Sequence, residues 1–281
     1  MRWKIGAVTV SRVVEVEVPT SGDFVLPDAS PANCEKIGWL RPHFLLPDGK
    51  LVLSIHALVI ESQGRRILVD TCLGNDKKLS FPDWANRQGP FLQDLSKAGF
   101  PRESIDTVVC THLHVDHVGW NTMKVNGRWV PTFPNARYLI GRKEWDYWGK
   151  EPTNPEEPIM DESVRPVLDA GLADLVEADH KLTSEVFFEP THGHTPGHVS
   201  VRISSQGEEA VITGDMMHHP SQIARPEWHS NFDWNAEQAR ETRRAAIQRW
   251  SRGSYLVIGT HFATPTAGRI VRDGDSYRFA V

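Results

Sequence analysis

The amino-acid sequence predicts an α+β fold in which layers of β-sheet are covered by helices. Three observations support this prediction: short runs of β-branched residues recur along the chain, two helical segments stand well apart, and no repeat or domain boundary interrupts the 281 residues. Strands mixed with well-separated helices bury their apolar faces by stacking into sheet and helix layers. We therefore expect a single domain over residues 1–281.

The predicted strands are short runs rich in Val, Ile and Leu. Their length and β-branched content favour extended backbone in a buried or half-buried sheet. In chain order they are Leu51–Ile60, Arg66–Val69, Thr107–Cys110, Arg137–Ile140, Val199–Ile203, Ala210–Thr213 and Tyr255–Ile258.

Two helices are predicted. The longer one covers about Ala236–Trp250, where Asn235 can cap the N-terminus and Gly253 follows the C-terminus as a stop signal. The shorter one covers Phe91–Ala98 and is closed by Gly99. Both helices have apolar residues that fall roughly on one side, as expected for helices that pack on a sheet.

Three stretches rich in Pro and Gly are predicted to be loops or covering segments rather than linkers, at residues 19–50, 80–90 and 151–166. Residues 1–50 as a whole are expected to form an N-terminal covering segment. Such a segment can lie over a functional site or pair with a second subunit, so a homodimer is one expectation for this chain.

Composition limits the location and the partners of the protein. Cys34, Cys72 and Cys110 are odd in number and lack metal-site spacing, so we expect reduced, buried thiols in a cytoplasmic protein. Arg12 and Glu15 interrupt the N-terminal stretch and argue against an export signal. No stretch approaches the roughly 18 apolar residues of a membrane span, so no membrane partner is expected.

The formal net charge of −5 argues against a nucleic-acid partner, because phosphate binding needs a concentrated basic surface. One dense group of arginines falls on the longer predicted helix. A solvated helical face accounts for such a group better than a binding surface does. Its members are Arg240, Arg243, Arg244, Arg249 and Arg252.

The segment Thr111–His117 carries the main functional signal and directly follows a predicted strand. A single histidine more often satisfies a local hydrogen bond than binds a metal, but several ligand-type side chains at one strand end can converge where the backbone turns. Imidazole and carboxylate groups suit zinc and related divalent ions. The ligand-type residues of this segment are His112, His114, Asp116 and His117.

Further ligand-type residues stand next to later predicted strands. The segment Thr191–His198 precedes one strand, Asp215 follows another, and His261 follows the last. Because a sheet brings distant residues together at the ends of its strands, the recurrence predicts that these side chains meet at one edge.

These segments resemble the five-part signature of the metallo-β-lactamase superfamily. Asp70 in Val-Asp-Thr, then His-Leu-His-Val-Asp-His, Gly-His-Thr-Pro-Gly-His, Gly-Asp and a late histidine occur in the family's order between residues 70 and 261. The resemblance implies an αβ/βα four-layer sandwich, with two mixed sheets flanked by helices and with metals at one edge.

The resemblance also implies a binuclear metal centre. Zinc is the expected metal, although manganese, iron or cobalt accept the same ligands. The implied ligands are His112, His114 and His194 for one ion, Asp116, His117 and His261 for the other, and Asp215 as the bridge.

Other residues in these segments have weaker assignments. Asp70 matches a carboxylate that orients a ligand histidine, and without the resemblance a turn residue that closes a strand explains it equally well. For His198 we expect a buried, hydrogen-bonded structural role. For His192, a position behind the ligands and a surface position both stay open.

Within the superfamily, Asp215 argues against antibiotic hydrolysis, because zinc β-lactamases generally have Cys or Ser near that place. The acidic chain also lacks the basic arm of a tRNA-processing nuclease. What remains resembles the branch that contains acyl-homoserine lactonases and methyl parathion hydrolase. His218 stands three residues after Asp215, where the familiar lactonases have Tyr, and is closer to the methyl parathion hydrolase pattern.

The expected function is hydrolysis of small apolar carboxylic esters or lactones by a metal-bridging hydroxide. Asp116 and His218 are expected to assist catalysis by handling protons or contacting a substrate oxygen. Tryptophans near the ligand segments could form an apolar pocket for such a substrate. Two alternatives stay open, namely phosphotriester hydrolysis at the same site and a metal-binding sensor with little turnover.

Overall fold

Two β-sheets form the centre of the molecule, and the computed structural model describes residues 1–150 and 154–281. The strands are β1 (Arg2–Ile5), β2 (Val8–Thr20), β3 (Leu51–Ser62), β4 (Arg65–Val69), β5 (Thr107–Cys110), β6 (Thr122–Val125), β7 (Arg128–Pro131), β8 (Arg137–Gly141), β9 (Ala173–Val176), β10 (Val186–Pro190), β11 (Val199–Ser205), β12 (Glu208–Ile212), β13 (Leu256–Ile258), β14 (Ala267–Asp273) and β15 (Ser276–Ala280). The first sheet has the order β1-β2-β3-β4-β5-β8-β9, the second runs from β10 to β15, and β6 and β7 form a separate hairpin.

Most of the helices are short. They are α1 (Gly22–Val25), α2 (Pro31–Cys34), α3 (Phe91–Lys97), α4 (Val115–Val118), α5 (Arg142–Trp148), α6 (Arg165–Asp169), α7 (Ser221–Ala224) and α8 (Ala236–Arg252). Tighter or wider helical turns occur at Gly38–Leu40, Arg102–Ser104, Gly119–Asn121, Met160–Val164 and Gly214–Met216. The Asn235 side chain accepts a hydrogen bond from the Gln238 N–H (3.1 Å), so α8 begins at its predicted cap.

Apolar residues on both faces of the sheets produce four layers. On β3, Leu58 and Ile60 point into the core between the two sheets, and the alternate residues Ala57 and Val59 point into the core beneath α3. The outer face of the second sheet packs against α8 and the segment around α1 and α2. Helices therefore cover both outer faces, as predicted.

The structure corrects the expectation for residues 1–50, which divide into two parts. β1 and β2 are strands of the first sheet, and β2 pairs with β3 over most of its length. Charged residues conceal this strand in the sequence. Glu15, for example, accepts hydrogen bonds from the Leu73 N–H (2.8 Å) and from Trp120 Nε1 (2.7 Å). Only the part that contains α1 and α2 covers an outer face.

The other sequence predictions are mostly confirmed. Each of the seven predicted strands overlaps an observed strand, and both predicted helices are present. The predicted loop at residues 19–50 includes two short helices, the predicted loop at 151–166 runs into a helical turn at Met160–Val164, and residues 151–153 lie outside the described residues. All three cysteines are buried and unpaired. No helix in the described ranges is long and apolar enough to cross a membrane.

Candidate metal centre

The predicted site residues lie at one edge of the sandwich. Because β4 and β5 are parallel, Asp70 and the segment that follows β5 start at the same edge of the first sheet. β12 and β13 are parallel in the second sheet, and they are followed by Asp215 and His261. The Val199 N–H donates to the Thr111 carbonyl (3.1 Å) and joins the two edges.

Three histidines form the first group of candidate ligands. The ligand atoms of His112, His114 and His194 lie within 4.8 Å of one another. Nε2 of His194 is 2.9 Å from Nδ1 of His114, although 80 residues separate them in the chain. The fold therefore brings together three imidazoles whose lone pairs can share one ion.

The second group combines a carboxylate with two histidines. Candidate ligand atoms of Asp116, His117 and His261 also lie within 4.8 Å of one another. Nε2 of His261 is 3.4 Å from Oδ2 of Asp116, and Nε2 of His117 is 3.6 Å from Oδ1 of the same carboxylate.

Asp215 lies between the two groups. Its Oδ2 atom is 3.5 Å from Nε2 of His194 and 3.9 Å from Nε2 of His112 in the first group. The same atom is 3.3 Å from Nε2 of His117 and 3.1 Å from Nε2 of His261 in the second group. One carboxylate can thus reach an ion in either group.

Several of these buried polar atoms have no hydrogen-bond partner among the described residues. They include Nε2 of His112, Nε2 of His117 and Oδ1 of Asp215. Leaving a buried donor or acceptor unsatisfied costs about 1–3 kcal/mol, and more for a charged group. Divalent cations would satisfy these atoms, and nitrogen and carboxylate donors suit zinc, so the residues fit a pair of such ions.

The electrostatics differ between the two groups of candidate ligands, because burial dominates at two rings of the first group and carboxylates dominate at His117 of the second. Burial lowers the pKa of His112 and of His114 well below the ordinary value, so both rings are neutral at pH 7. For His117 burial acts in the same direction, but the surrounding carboxylates, first of all Asp215, raise its pKa well above the ordinary value. For Asp215 burial acts to raise the pKa, but the surrounding histidines lower it well below the ordinary value, so the carboxyl is ionised.

A comparison with known protein families finds that the model of the metallo-beta-lactamase superfamily matches residues 51–261, three quarters of the chain. The chain belongs to the metallo-β-lactamase superfamily. The family predicted from the ligand segments is thereby confirmed.

Among curated proteins, this superfamily member is similar to N-acyl homoserine lactonases. The lactonase of a Bacillus species is 25% identical over 188 residues, a match that covers 60% of this chain and 65% of the relative. The lactonase of Bacillus cereus is 25% identical over 180 residues with the same coverage. The chain therefore spans less than two thirds of the length of these relatives.

Solved structures show the same fold. AidC, described as a dizinc quorum-quenching lactonase in complex with a product, has a TM-score of 0.80 and 21% identity, covering 99% of this chain and 96% of that one. The hydrolase AbOPH of the beta lactamase superfamily has a TM-score of 0.81 and 23% identity with the same coverage. These likenesses confirm the predicted sandwich.

In this metallo-β-lactamase-fold protein, other groups fix the rings of the candidate ligands. The sequence matches Asp70 to a carboxylate that orients a ligand histidine. Its Oδ2 lies 2.9 Å from Nδ1 of His117. The Ser54 carbonyl lies 3.0 Å from Nδ1 of His261. Contacts of this kind orient a ligand ring and select its tautomer.

A carboxylate that contacts Nδ1 of His194, that of Asp233, was not predicted from the sequence. Oδ1 of Asp233 lies 3.0 Å from Nδ1 of His194, and both side chains are fully buried. Asp233 belongs to no recognisable motif and reaches the site from a loop before α8. The prediction that Arg243 lies on a solvated helical face is wrong, because this side chain is fully buried.

The two remaining histidines of the Thr191–His198 segment support the loop. His198 is buried, and its Nε2 accepts the Asp215 N–H (2.8 Å) while Nδ1 lies 3.0 Å from the Thr191 carbonyl. His192 is half-buried, with Nδ1 3.1 Å from the His198 carbonyl and Nε2 3.3 Å from Nζ of Lys143.

His218 lies beside the centre. Its Nε2 is 3.3 Å from Oδ2 of Asp215, and its Nδ1 has no hydrogen-bond partner among the described residues. Its ligand atoms, those of His194 and those of Asp215 also form a group that could hold an ion.

Aromatic residues lie near the centre, but only some of them are tryptophans close to the ligand segments in sequence. The Trp148 ring is 5.6 Å from the His114 ring, and Tyr147 links Trp148 to the exposed Trp234. The exposed Phe232 directly precedes Asp233 and contacts Phe24 and Phe81. By contrast, core positions are occupied by Trp120 and Trp228.

Proposed function

We propose that this chain is a metal-dependent hydrolase that cleaves small, apolar carboxylic esters or lactones with two divalent metal ions. The observation that carries the proposal is the position of Asp215, whose Oδ2 lies within 3.5 Å of His194 in one group and within 3.3 Å of His117 and His261 in the other. The lactonase relatives support the reaction class, and the description of AidC as dizinc supports zinc as the metal.

Seven side chains would hold the two ions. Bound there, the ions would supply hydroxide near neutral pH and polarise the carbonyl group of the substrate. The first ion would take His112, His114 and His194, the second would take Asp116, His117 and His261, and Asp215 would contact both.

Asp116 is suited to move a proton during hydrolysis. Its carboxylate is partly exposed and faces the histidines of the second group. Hydrolysis forms one bond from water oxygen to the carbonyl carbon and breaks the bond to the leaving oxygen. Asp116 would accept the proton that the attacking water releases and return it to the departing alkoxide.

His218 is suited to contact the substrate. Nδ1 of this buried side chain lacks a partner among the residues that the structure describes. If the ring donates a hydrogen bond to a substrate oxygen, it stabilises the charge that develops there.

The aromatic surroundings favour an apolar substrate. Trp234, with 49% of its surface accessible, is linked to His114 through Tyr147 and Trp148. Phe232 (37% accessible) directly precedes Asp233 and contacts Phe24 (43% accessible). Apolar surface with a few polar groups at its base is typical of sites for small organic ligands.

A cytoplasmic location is consistent with the three unpaired cysteines.

The test measures zinc content and turnover together. We expect purified, zinc-loaded protein to hydrolyse members of a panel of lactones and aryl esters. For Asp215→Ala we expect fewer than two zinc ions per chain and a fall in kcat/KM of more than about 100-fold, since even partners behind metal ligands are worth about 10–100-fold. Asp28→Ala, an exposed change, is the matched control. Unchanged zinc content and turnover in Asp215→Ala would refute the proposal.

Phosphotriester hydrolysis is a second candidate, favoured by His218 in place of the lactonase tyrosine. The same panel should therefore include an aryl phosphotriester. A kcat/KM for this compound above that of every lactone and ester would replace the leading proposal. Two bound zinc ions without hydrolysis of any compound would favour a metal-binding sensor.

A further inference from the structure

Arg243 of α8 is the most buried cation close to the metal centre, with no surface accessible. Its Nε donates to the Met216 carbonyl (2.9 Å), and its Nη1 donates to the carbonyls of Pro226 (3.0 Å) and Trp228 (2.9 Å). Its Nη2 lies 3.7 Å from Oδ2 of Asp233, which makes an ion pair rather than a direct hydrogen bond.

The contacts of Arg243 connect two segments of the metal centre. Met216 belongs to the helical turn that carries Asp215. Asp233 contacts His194 through Oδ1 (3.0 Å), and its Oδ2 accepts the Ser230 N–H (2.8 Å). One guanidinium therefore holds the bridging carboxylate's turn and the loop that orients a histidine of the first group.

The charge and the donor geometry of Arg243 explain why this buried position requires arginine. A fully buried guanidinium is costly unless an opposite charge and hydrogen-bond acceptors surround it. Arg243 has three carbonyl acceptors and the Asp233 carboxylate, and lysine could not contact all of them because it lacks the planar fork of donors. The second group of candidate ligands has a carboxylate of its own, Asp70 on His117.

We propose that Asp233 and Arg243 are positioning residues for the first metal ion, with Asp233 orienting His194 and Arg243 holding Asp233 and the Asp215 turn in place. The inference rests on the proposed binding of two metal ions. It assigns a separate supporting carboxylate to each ion, Asp233 to the first and Asp70 to the second.

The test uses the full chain and zinc, with the two affinities measured by competition with a chromophoric chelator. In Asp233→Asn, one zinc ion should bind about 10–100-fold more weakly, the usual effect of such a partner, while the other stays within about twofold. Arg243→Lys should weaken binding of the same ion, and it should also weaken binding of the other ion to a smaller extent because Arg243 holds the turn that carries Asp215. The matched control is Arg244→Lys, an exposed change on the same helix, and it should alter neither affinity.

A His194→Ala background assigns the ion. In this background, the zinc ion that still binds should keep its affinity when Asp233→Asn is added and should lose affinity when Asp70→Asn is added. Equal affinities in wild type and Asp233→Asn, or an equal loss of affinity in both backgrounds, would overturn the inference.

Two further measurements separate other causes. The unfolding midpoint of the zinc-free protein should fall in Asp233→Asn, because the buried Arg243 loses its opposite charge. The zinc affinities are therefore compared at a temperature at which wild type and variant are both folded, as circular dichroism shows. If wild type binds no zinc, the proposed function fails with the inference. If wild type binds two ions and hydrolyses esters while Asp233→Asn binds both normally, only the inference fails.

Discussion

Nδ1 of His117 lies 2.9 Å from Oδ2 of Asp70, and both side chains are buried. The same carboxylate accepts hydrogen bonds from the Thr111 N–H (2.8 Å) and from the Thr111 hydroxyl (2.8 Å). Asp70 therefore joins the end of β4 to the start of the ligand segment and orients one of its rings.

Asp70→Asn should weaken zinc binding at the second group. An amide can present its oxygen to only one side, so it cannot satisfy both His117 and the two donors of Thr111. We expect one zinc ion to bind about 10–100-fold more weakly, with a matching fall in kcat/KM at low zinc. Asp94→Asn, a change of a partly exposed carboxylate on α3, is the control. Unaltered zinc affinity in Asp70→Asn would show that the contact does not support the ligand.

Gly214→Ala should damage both stability and activity. The backbone of Gly214 has φ +55°, and an added Cβ would lie 2.5 Å from Nε2 of His198. Because that nitrogen accepts the Asp215 N–H, the clash would displace Asp215 and its carboxylate. We expect a loss of unfolding free energy greater than the roughly 1–2 kcal/mol that left-handed backbone costs alanine, measured by urea unfolding.

Gly207→Ala is the matched control for this change. Its φ is +82°, and nothing lies within 4 Å of an added Cβ. Gly207→Ala should lose only the unfolding free energy that left-handed backbone costs alanine, and it should keep full activity. Equal losses of activity in the two variants would contradict the explanation.

His218→Phe should lower kcat without removing metal. If His218 stabilises charge or moves a proton, its loss should cost about 100-fold in kcat. His218→Tyr should retain more activity, because a phenol can also donate a hydrogen bond. Zinc content is measured alongside kcat and KM. A loss of one zinc ion from His218→Phe would make His218 a ligand instead.

Lys77 should make the free energy of unfolding depend on pH. Its side chain is buried, and Nζ donates to the Thr122 hydroxyl (2.6 Å) and the Glu162 carbonyl (3.1 Å) and lies over the Trp129 ring. Burial lowers the pKa of Lys77 from 10.5 to about 7. Between these values the unfolded chain binds one more proton than the folded chain, so stability rises as pH rises.

The effect can be measured by urea unfolding from pH 7 to pH 10 with a chelator present. The slope from one such proton is at most about 1.4 kcal/mol per pH unit, and Lys77→Met should remove it. Lys97→Met, an exposed change, should keep the slope of wild type. Identical slopes in wild type and Lys77→Met would show that the lysine stays charged throughout.

The ligand segments could be predicted from sequence because their signals are local. Thr111–His117 directly follows β5, and Asp215 closely follows β12, so strand ends indicate where these side chains must meet. The helix α8 was predictable for the same reason, since its cap and stop residues lie at its own ends.

Long-range contacts explain what the sequence could not predict. Charged residues hide β2, and the partners of Glu15 lie about 60 and 105 residues away. Periodicity places Arg243 with exposed arginines, because nothing nearby in sequence indicates the carbonyl groups and the carboxylate that surround it. Asp233 contacts a histidine 39 residues earlier and has no motif of its own.

The first candidate ligand group takes two histidines from the first sheet's edge and one from the second's, and the second group is completed only by His261. Neither half of the chain therefore carries a full coordination sphere. If the proposed ions bind, complete coordination would require the two sheets to be docked, and each ion would then hold the N-terminal and C-terminal halves together. A fragment that ends before residue 261 should consequently be unable to retain both ions.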